Sequence, residues 1–388
     1  MFARIILIVL DGVGIGALPD AHLYGDLGAA TLQHVATVNG GLHLPNMAQL
    51  GLGRVASIDG VEALATPTGS WGKMTEQSAG KDSVTGHWEL AGVTLDHPFA
   101  TFPQGFPAPI MAAFRAATGF RAMGNVVASG TDVIRDLGAE HLATGCPIVY
   151  TSSDSVFQIA AHEDIIPPEK LYTICRQTEI ILRPHNVCRV IARPFAGTCR
   201  TDFYRTSGRH DFSVRPPRST VLERLQTRGI STCGIGKIND LFAGIGLSDS
   251  FPTVDNCDGM ETIIKVLDKI KSGLIFTNLV DFDMLYGHRL DSCGFANALE
   301  DFDRWLPKLL EQLSGDDLLI ITADHGCDPT TAGTDHSREY VPLLVTSPKL
   351  ERCGDFGTRD SFADVGATIA DNFKVPFIAG NSFLSQLI

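Results

Sequence analysis

Three apolar runs in this 388-residue chain each lead into residues that bind metal ions. Ile5 to Leu10 runs into Asp11. Leu274 to Val280 runs into Asp281-Phe-Asp283-Met-Leu-Tyr-Gly-His288, and Leu318 to Thr322 precedes Asp324-His325-Gly326, with His336 a loop later. Carboxylate and imidazole together suit Mn2+, Fe2+ or Zn2+, whereas Mg2+ favours oxygen alone. Six such groups are too many for one closed site. They fit two ions sharing a cleft, where one activates a nucleophile and both neutralise a transferring phosphoryl group. Singly, each has a plainer use: an Asp after a strand caps the next turn, and an Asp-His dipeptide recurs by chance. Their shared place after buried strands joins them. Asp283 leads the Asp-x-x-x-Gly-His spacing and is read as the ligand, with Asp281 behind it. Cys327 is set aside as a small buried thiol. His22, His34, His43, His141, His162 and His185 lack such neighbours and read as ordinary core or surface histidines.

A nucleophile is sought in Ala79-Gly-Lys81-Asp82-Ser83-Val84-Thr85-Gly86-His87-Trp88-Glu89, where hydroxyl and small residues end in a glycine fit for a helix N-terminus or tight turn. A Ser or Thr hydroxyl is a weak nucleophile unless a base or metal stabilises its alkoxide, so it needs the metal residues beside it. Ser83 and Thr85 both qualify, and either also reads as a helix cap.

These residues need a frame. The run Ile5 to Leu10 does not alternate, which fits a strand covered on both faces. Beyond residue 217, helix and strand patterns alternate. Thr220-x-x-Glu223 opens a helix that stops at Gly229, Gly259 to Lys271 follows Asp258, Phe295 to Leu313 bends near Pro307, and Phe362 to Phe373 is capped by Asp360 or Ser361. Strands are expected at 231–235, 274–280, 318–322 and 341–346. The pattern predicts a doubly wound α/β core from residues 1–97 and 218–388. The stretch 98–217 differs: it holds 11 of the 20 prolines and reads as an inserted α+β cap domain. Eight arginines fall between Arg183 and Arg218, although the chain carries a formal charge of -13. One face of the insertion is therefore expected to be locally positive, a natural place for a phosphate, although any single one of these arginines reads more readily as half of a surface ion pair than as a phosphate contact. The acidic balance argues against nucleic acid and anionic membranes as partners. Nine cysteines without a C-x-x-C pair, and no export signal before Asp11, point to the cytoplasm.

Lys81 to Glu89, Leu10-Asp11-Gly-x-Gly, Val280 to Asp283 with Gly287-His288-Arg289, Thr322 to Gly326, and Thr334-Asp-His336-Ser337-Arg338-Glu339 together resemble the phosphopentomutases of the alkaline phosphatase superfamily. The likeness runs from the first strand to the last helix. Asp-His-Gly marks only the superfamily; the Lys-Asp-x-x-Thr-Gly-His-Trp-Glu segment is far more specific. The resemblance implies an alkaline phosphatase-like core and two Mn2+ ions, one held by Asp283, His288 and His336, the other by Asp11, Asp324 and His325 beside Thr85. Thr85 would carry the phosphoryl group, loaded by ribose 1,5-bisphosphate or glucose 1,6-bisphosphate. The substrates would be pentose phosphates, ribose or deoxyribose 1- and 5-phosphate. Asp154 is similar to the family's sugar-binding acid, and Arg193, Arg205 and Lys237 would hold the phosphate that is not transferred, with Arg209 the rival to Arg205. Leu290 departs from the pattern, standing where a second arginine is expected. The insertion would act as a mobile cap that excludes water from phospho-Thr85.

Two other readings use the same residues. A phosphatase or phosphodiesterase on this scaffold needs the same metals and nucleophile, and only the arginine-bearing cap weighs against it. A phosphosugar-binding protein without turnover would have no use for all six ligands and a nucleophile. Cofactor-independent phosphoglycerate mutases, a nearer rival, differ at Thr-Gly-His-Trp-Glu.

Overall fold

The computed structural model describes residues 1–152, 155–350, 352–377 and 379–388. The chain forms two compact units, Met1–His97 with Pro216–Ile388, and Pro98–Arg215.

The first unit is built on an eight-stranded sheet. Its spatial order is Asp249–Phe251, Thr232–Ile235, Gly273–Leu279, Arg4–Leu10, Asp317–Thr322, Val341–Thr346, Ser70–Met74, Asp355–Arg359. The first five strands are parallel. Arg4–Leu10, Gly273–Leu279 and Asp317–Thr322 are buried along their whole length, as expected of central strands with helices on both faces. The same runs of Val, Ile, Leu and Phe form the core, joined by Phe295, Leu299, Phe302 and Leu306 of the helix Ser292–Leu310.

Helix–strand alternation alone suggests a parallel sheet throughout, but Val341–Thr346 runs antiparallel to both of its neighbours. The reason lies in its connection. No long helix separates Thr322 from Val341, and a direct return needs an antiparallel partner, whereas a parallel one requires a crossover. Both ends of the 323–340 loop therefore lie at one edge of the sheet. That edge is where the parallel strands Arg4–Leu10 and Gly273–Leu279 also end.

Three local expectations are corrected. The helix placed at 259–271 spans Asn256–Lys269 and is capped by Asp255, whose side chain accepts from the Asp258 amide; Asp258 sits in its first turn. The last helix, Ala363–Asn372, has Phe362 at its N-cap with no side-chain cap. Asp360 and Ser361 precede it, and Ser361 Oγ donates to Glu89 while accepting from the Ala363 amide. Gly86 lies inside the helix Ser83–Leu90, where Asp82 caps the end. A side chain at 86 would collide with the Asp324 carbonyl, so the glycine permits close helix–loop packing. The Thr220–Glu223 capping box forms as read.

The second unit carries a six-stranded mixed sheet with the path Met123–Val127, Ile148–Thr151, Val156–His162, Arg189–Ala196, Tyr204–Arg205. His210–Ser213 pairs with Arg189–Ala196 as well. Phe106, Phe114, Phe157 and Leu171 form its core with the helices Ala108–Thr118 and Pro168–Leu182.

Candidate metal centre

Asp11, the first residue after its strand, donates its amide to the Leu279 carbonyl, which ties it to the neighbouring strand end. The next residue, Gly12, has φ +76°, a region glycine enters without cost, and its amide donates to Asp324 Oδ1 at 3.1 Å. The strand pair Arg4–Leu10 and Asp317–Thr322 thus brings Asp11, Asp324 and His325 together. His325 Nε2 lies 3.3 Å from Asp11 Oδ1 and 3.4 Å from Asp324 Oδ2, and all three residues are buried.

A second group forms around Asp283. It sits in a short turn of π-helix, Phe282–Gly287, directly after the strand Gly273–Leu279. His288 Nε2 approaches Asp283 Oδ2 at 3.3 Å, and His336 Nε2 approaches Oδ1 at 3.3 Å. The His336 ring also packs at a tilt against both of its counterparts, with ring centroids 4.7 Å from His288 and 4.2 Å from His325. The three imidazoles form a row joining the two groups. Cys327 also lies within ligand distance of Asp283 and His288, and with no cation bound, burial and the Asp283 charge push its thiol well up.

The donor set fits divalent cations on three observations. First, His288 Nδ1 faces the Thr334 carbonyl at 2.6 Å and His325 Nδ1 the Gly326 carbonyl at 3.0 Å. A carbonyl only accepts, so each Nδ1 carries the hydrogen, and the Nε2 atoms converge on the carboxylates. Second, Asp283 Oδ1 and Asp324 Oδ2 are buried and face imidazole nitrogens, His336 Nε2 at 3.3 Å and His87 Nδ1 at 3.0 Å, with no well-formed hydrogen bond to either, so anionic oxygens point into the cluster. Third, the electrostatics are those of sites that trade protons for metal. Burial works to raise the Asp283 carboxyl, but His336 and His288 outweigh it and hold it well below its ordinary range. His288 is raised to about 9, chiefly by its hydrogen bond to Asp283. Burial opposes charge on His325, yet Asp324 and Asp11 raise it well above the usual imidazole value.

The hydroxyl helix Ser83–Leu90 enters beside the first group. Ser83 Oγ lies 3.0 Å from His325 Nε2 and 3.3 Å from Asp11 Oδ1. Thr85 is fully buried, and its Oγ1 donates to Asp82 Oδ2 at 2.6 Å while its amide donates to Asp82 Oδ1. Ser83 is therefore in direct contact with two of the candidate ligands, whereas the Thr85 hydroxyl is bonded to Asp82.

Asn278 and His87 act here without having stood out as individual residues in the sequence. Asn278 Nδ2 donates to Asp11 Oδ2 at 2.8 Å and lies 3.2 Å from His87 Nε2. His87 Nδ1 faces the Ser83 carbonyl at 2.8 Å and lies 3.0 Å from Asp324 Oδ2. A polar residue one place from the end of a buried apolar strand was the available signal for Asn278. Asp281 contacts none of the six; its carboxylate accepts from the Asn256 amide.

Lys237 follows the strand Thr232–Ile235 at the N-cap of a short helix; burial raises the nearby Asp281 carboxyl, and the Lys237 charge works weakly against that. Arg193 and Arg205 belong to the second unit, on the paired strands Arg189–Ala196 and Tyr204–Arg205. Asp154 lies outside the described residues. Five of the eight arginines between 183 and 218 do form ion pairs, with Glu179, Asp211, Asp136, Asp211 and Asp96. Arg193 and Arg205 form none among the described residues. Burial and the neighbouring guanidinium of Arg209 push Arg193 below its usual value.

Residues 3–377 match the metalloenzyme superfamily. The phosphopentomutase of Syntrophotalea carbinolica is 55% identical over 385 residues, covering 99% of this chain and 98% of that one. The phosphopentomutase of Desulfitobacterium hafniense is 53% identical over 387 residues, covering 99% and 100%. The chain belongs to the phosphopentomutase family. Among solved structures, Leishmania mexicana phosphoglycerate mutase covers 98% of this chain and 97% of its own with a TM-score of 0.52 at 13% identity, a likeness of fold alone. The phosphopentomutase likeness spans both units. No helix among the described residues of this family member is long and apolar enough to cross a membrane.

Proposed function

We propose that this chain interconverts ribose or deoxyribose 1-phosphate and 5-phosphate through a phosphoryl group carried on Thr85. The observation behind the reading is the convergence of Asp11, Asp324 and His325, and of Asp283, His288 and His336, beside the helix that bears Thr85. Two Mn2+ ions, when bound by these six residues, would neutralise charge on the transferring phosphoryl group. Phospho-Thr85 gives its phosphoryl group to the free O1 of a pentose 5-phosphate: the Thr85 O–P bond breaks, the O1–P bond forms, the O1 proton ends on the Thr85 oxygen, and a 1,5-bisphosphate results. Return of the O5 phosphoryl group to Thr85 restores the carrier and releases the 1-phosphate. Asp82 Oδ2, already accepting the Thr85 hydroxyl hydrogen, is placed to receive that proton as the Thr85 O–P bond forms. Arg193, Arg205 and Lys237 are assigned to the phosphate that is not transferred. The first two form no ion pair among the described residues, whereas Arg209 is already engaged by Asp211 at 2.8 Å. Asp154 is assigned to ribose hydroxyls on the motif alone. A bisphosphate sugar would load the carrier, and a cytoplasmic setting suits nine free cysteines.

Ser83 is a second reading for the carrier, favoured by its contacts with His325 and Asp11. Thr85 is preferred because it occupies the threonine of the family segment. The function is tested with purified, Mn2+-reconstituted protein given ribose 1-phosphate and a catalytic amount of glucose 1,6-bisphosphate. Ribose 5-phosphate should form far faster than free phosphate. Phosphate release without isomer would make it a phosphatase instead.

A further inference from the structure

Arg338 is 3% exposed and has no part in the chemistry above, although it follows His336 by two residues. Its guanidinium grips the segment that leads into the hydroxyl helix. Nη1 donates to the Ser78 carbonyl at 2.7 Å and the Gly80 carbonyl at 2.6 Å, and Nη2 donates to the Glu76 carbonyl at 3.0 Å. Asp20 takes the remaining edge through Nε and Nη2. The amides of the same segment are held from the other side by the buried Glu89, which accepts from Gln77 N, Ser78 N and Ser78 Oγ. Five residues are thus clamped between a buried cation on their carbonyls and a buried anion on their amides. Glu89 lies one helical turn beyond Thr85. At the other end, a Cβ on Gly80 would sit 2.9 Å from Thr85 Oγ1 and Cγ2, so the clamped segment backs directly onto the carrier side chain.

We propose that Arg338 is a positioning residue for phosphoryl transfer to Thr85: by gripping the carbonyls of Glu76, Ser78 and Gly80 it sets the wall against which Thr85 is held. The proposal rests on the phosphothreonine reading. A guanidinium supplies five donors in a fixed plane and here spans three carbonyls and the carboxylates of Asp20 and Glu76 at once; an ammonium offers three donors from one point. Displacement of a reacting group by about 1 Å costs on the order of 100-fold in rate. Since Arg338 touches none of the six metal residues through its side chain, its loss should slow transfer without emptying the metal site.

The test is the time course of phosphate appearing on the Thr85 peptide after mixing Mn2+-loaded protein with glucose 1,6-bisphosphate, read by mass spectrometry. It compares the unsubstituted chain with Arg338→Met, Arg338→Lys and Gly80→Ala, alongside metal content and KM for ribose 5-phosphate. Arg338→Met should load roughly 100-fold more slowly and Arg338→Lys roughly 10-fold, with two ions retained and KM changed less than about twofold. Gly80→Ala, which leaves the arginine intact and crowds Thr85, should show the same defect, and keeps the test open if Arg338→Met does not fold. Normal loading in Arg338→Lys and Gly80→Ala would overturn the clamp. Loss of metal in step with loss of loading would overturn it too, since the role would then be structural. Phosphate absent from Thr85 in the unsubstituted chain would strike the phosphothreonine reading itself, and the clamp with it.

Discussion

The two ligand groups are held in opposite ways. Asp11, Asp324 and His325 stand at the ends of adjacent strands, at most 1% exposed, and each is fastened from behind: Asp11 by Asn278, Asp324 by the Gly12 amide, His325 by the Gly326 carbonyl. Asp283, His288 and His336 come from a turn and a loop. The side chains of His288 and His336 are 33% and 12% exposed, and His288 is steadied by one loop carbonyl. A strand-end site is made rigid by the sheet itself, whereas a loop site keeps a path to solvent. The first group should therefore bind its ion tightly and exchange it slowly. The second should load and unload more freely.

Removing a carboxylate from the rigid group breaks that contrast most severely. Asp324→Ala should lose activity by 1,000-fold or more, on the order of a metal-site deletion, and retain fewer ions by elemental analysis; full activity with unchanged metal content would refute the two-metal assignment. His288→Ala should cost about 100-fold at limiting Mn2+ and regain much of it at high Mn2+, because the loop group has lost affinity and not its frame. If added Mn2+ restores Asp324→Ala as well as it restores His288→Ala, the two groups do not differ as described. Arg193→Ala should raise KM for ribose 5-phosphate about 10-fold and lower kcat less, with Arg193→Lys recovering part, since remote binding energy orients the reacting end. An unchanged kcat/KM would remove Arg193 from the phosphate site. Asn278→Ala is the mildest of the set. It should reduce metal affinity about 10-fold, measured by competition with a chelator, while the fold persists.

That the candidate metal ligands meet was legible in part: Asp11, Asp283 and Asp324 stand just beyond buried apolar strands, where a polar group needs something to repay its burial, whereas His336 comes from a loop and was tied to them by the motif. The second compact unit, Pro98–Arg215, overlaps the stretch that its prolines and arginines set apart. The antiparallel direction of the strand Val341–Thr346 was not legible, because a buried strand has the same apolar pattern in either direction and only the length of its connection tells them apart. His87 and Asn278 were missed for a different reason. Neither stands out along the chain, and their meaning comes from meeting each other across 191 residues beneath Asp11 and Asp324. Arg338 and Glu89 were visible only as motif letters, since a clamp on a backbone segment has no sequence pattern of its own.

The account turns on which hydroxyl carries the phosphoryl group, because the structure sets Ser83 against His325 and Thr85 against Asp82. Peptide mass spectrometry of the Mn2+-loaded protein after incubation with glucose 1,6-bisphosphate reads this directly. Phosphate on Thr85, with Thr85→Ala folded, metal-loaded and inert, is the result expected; phosphate on Ser83, or isomerase turnover by Thr85→Ala at the normal rate, would contradict it.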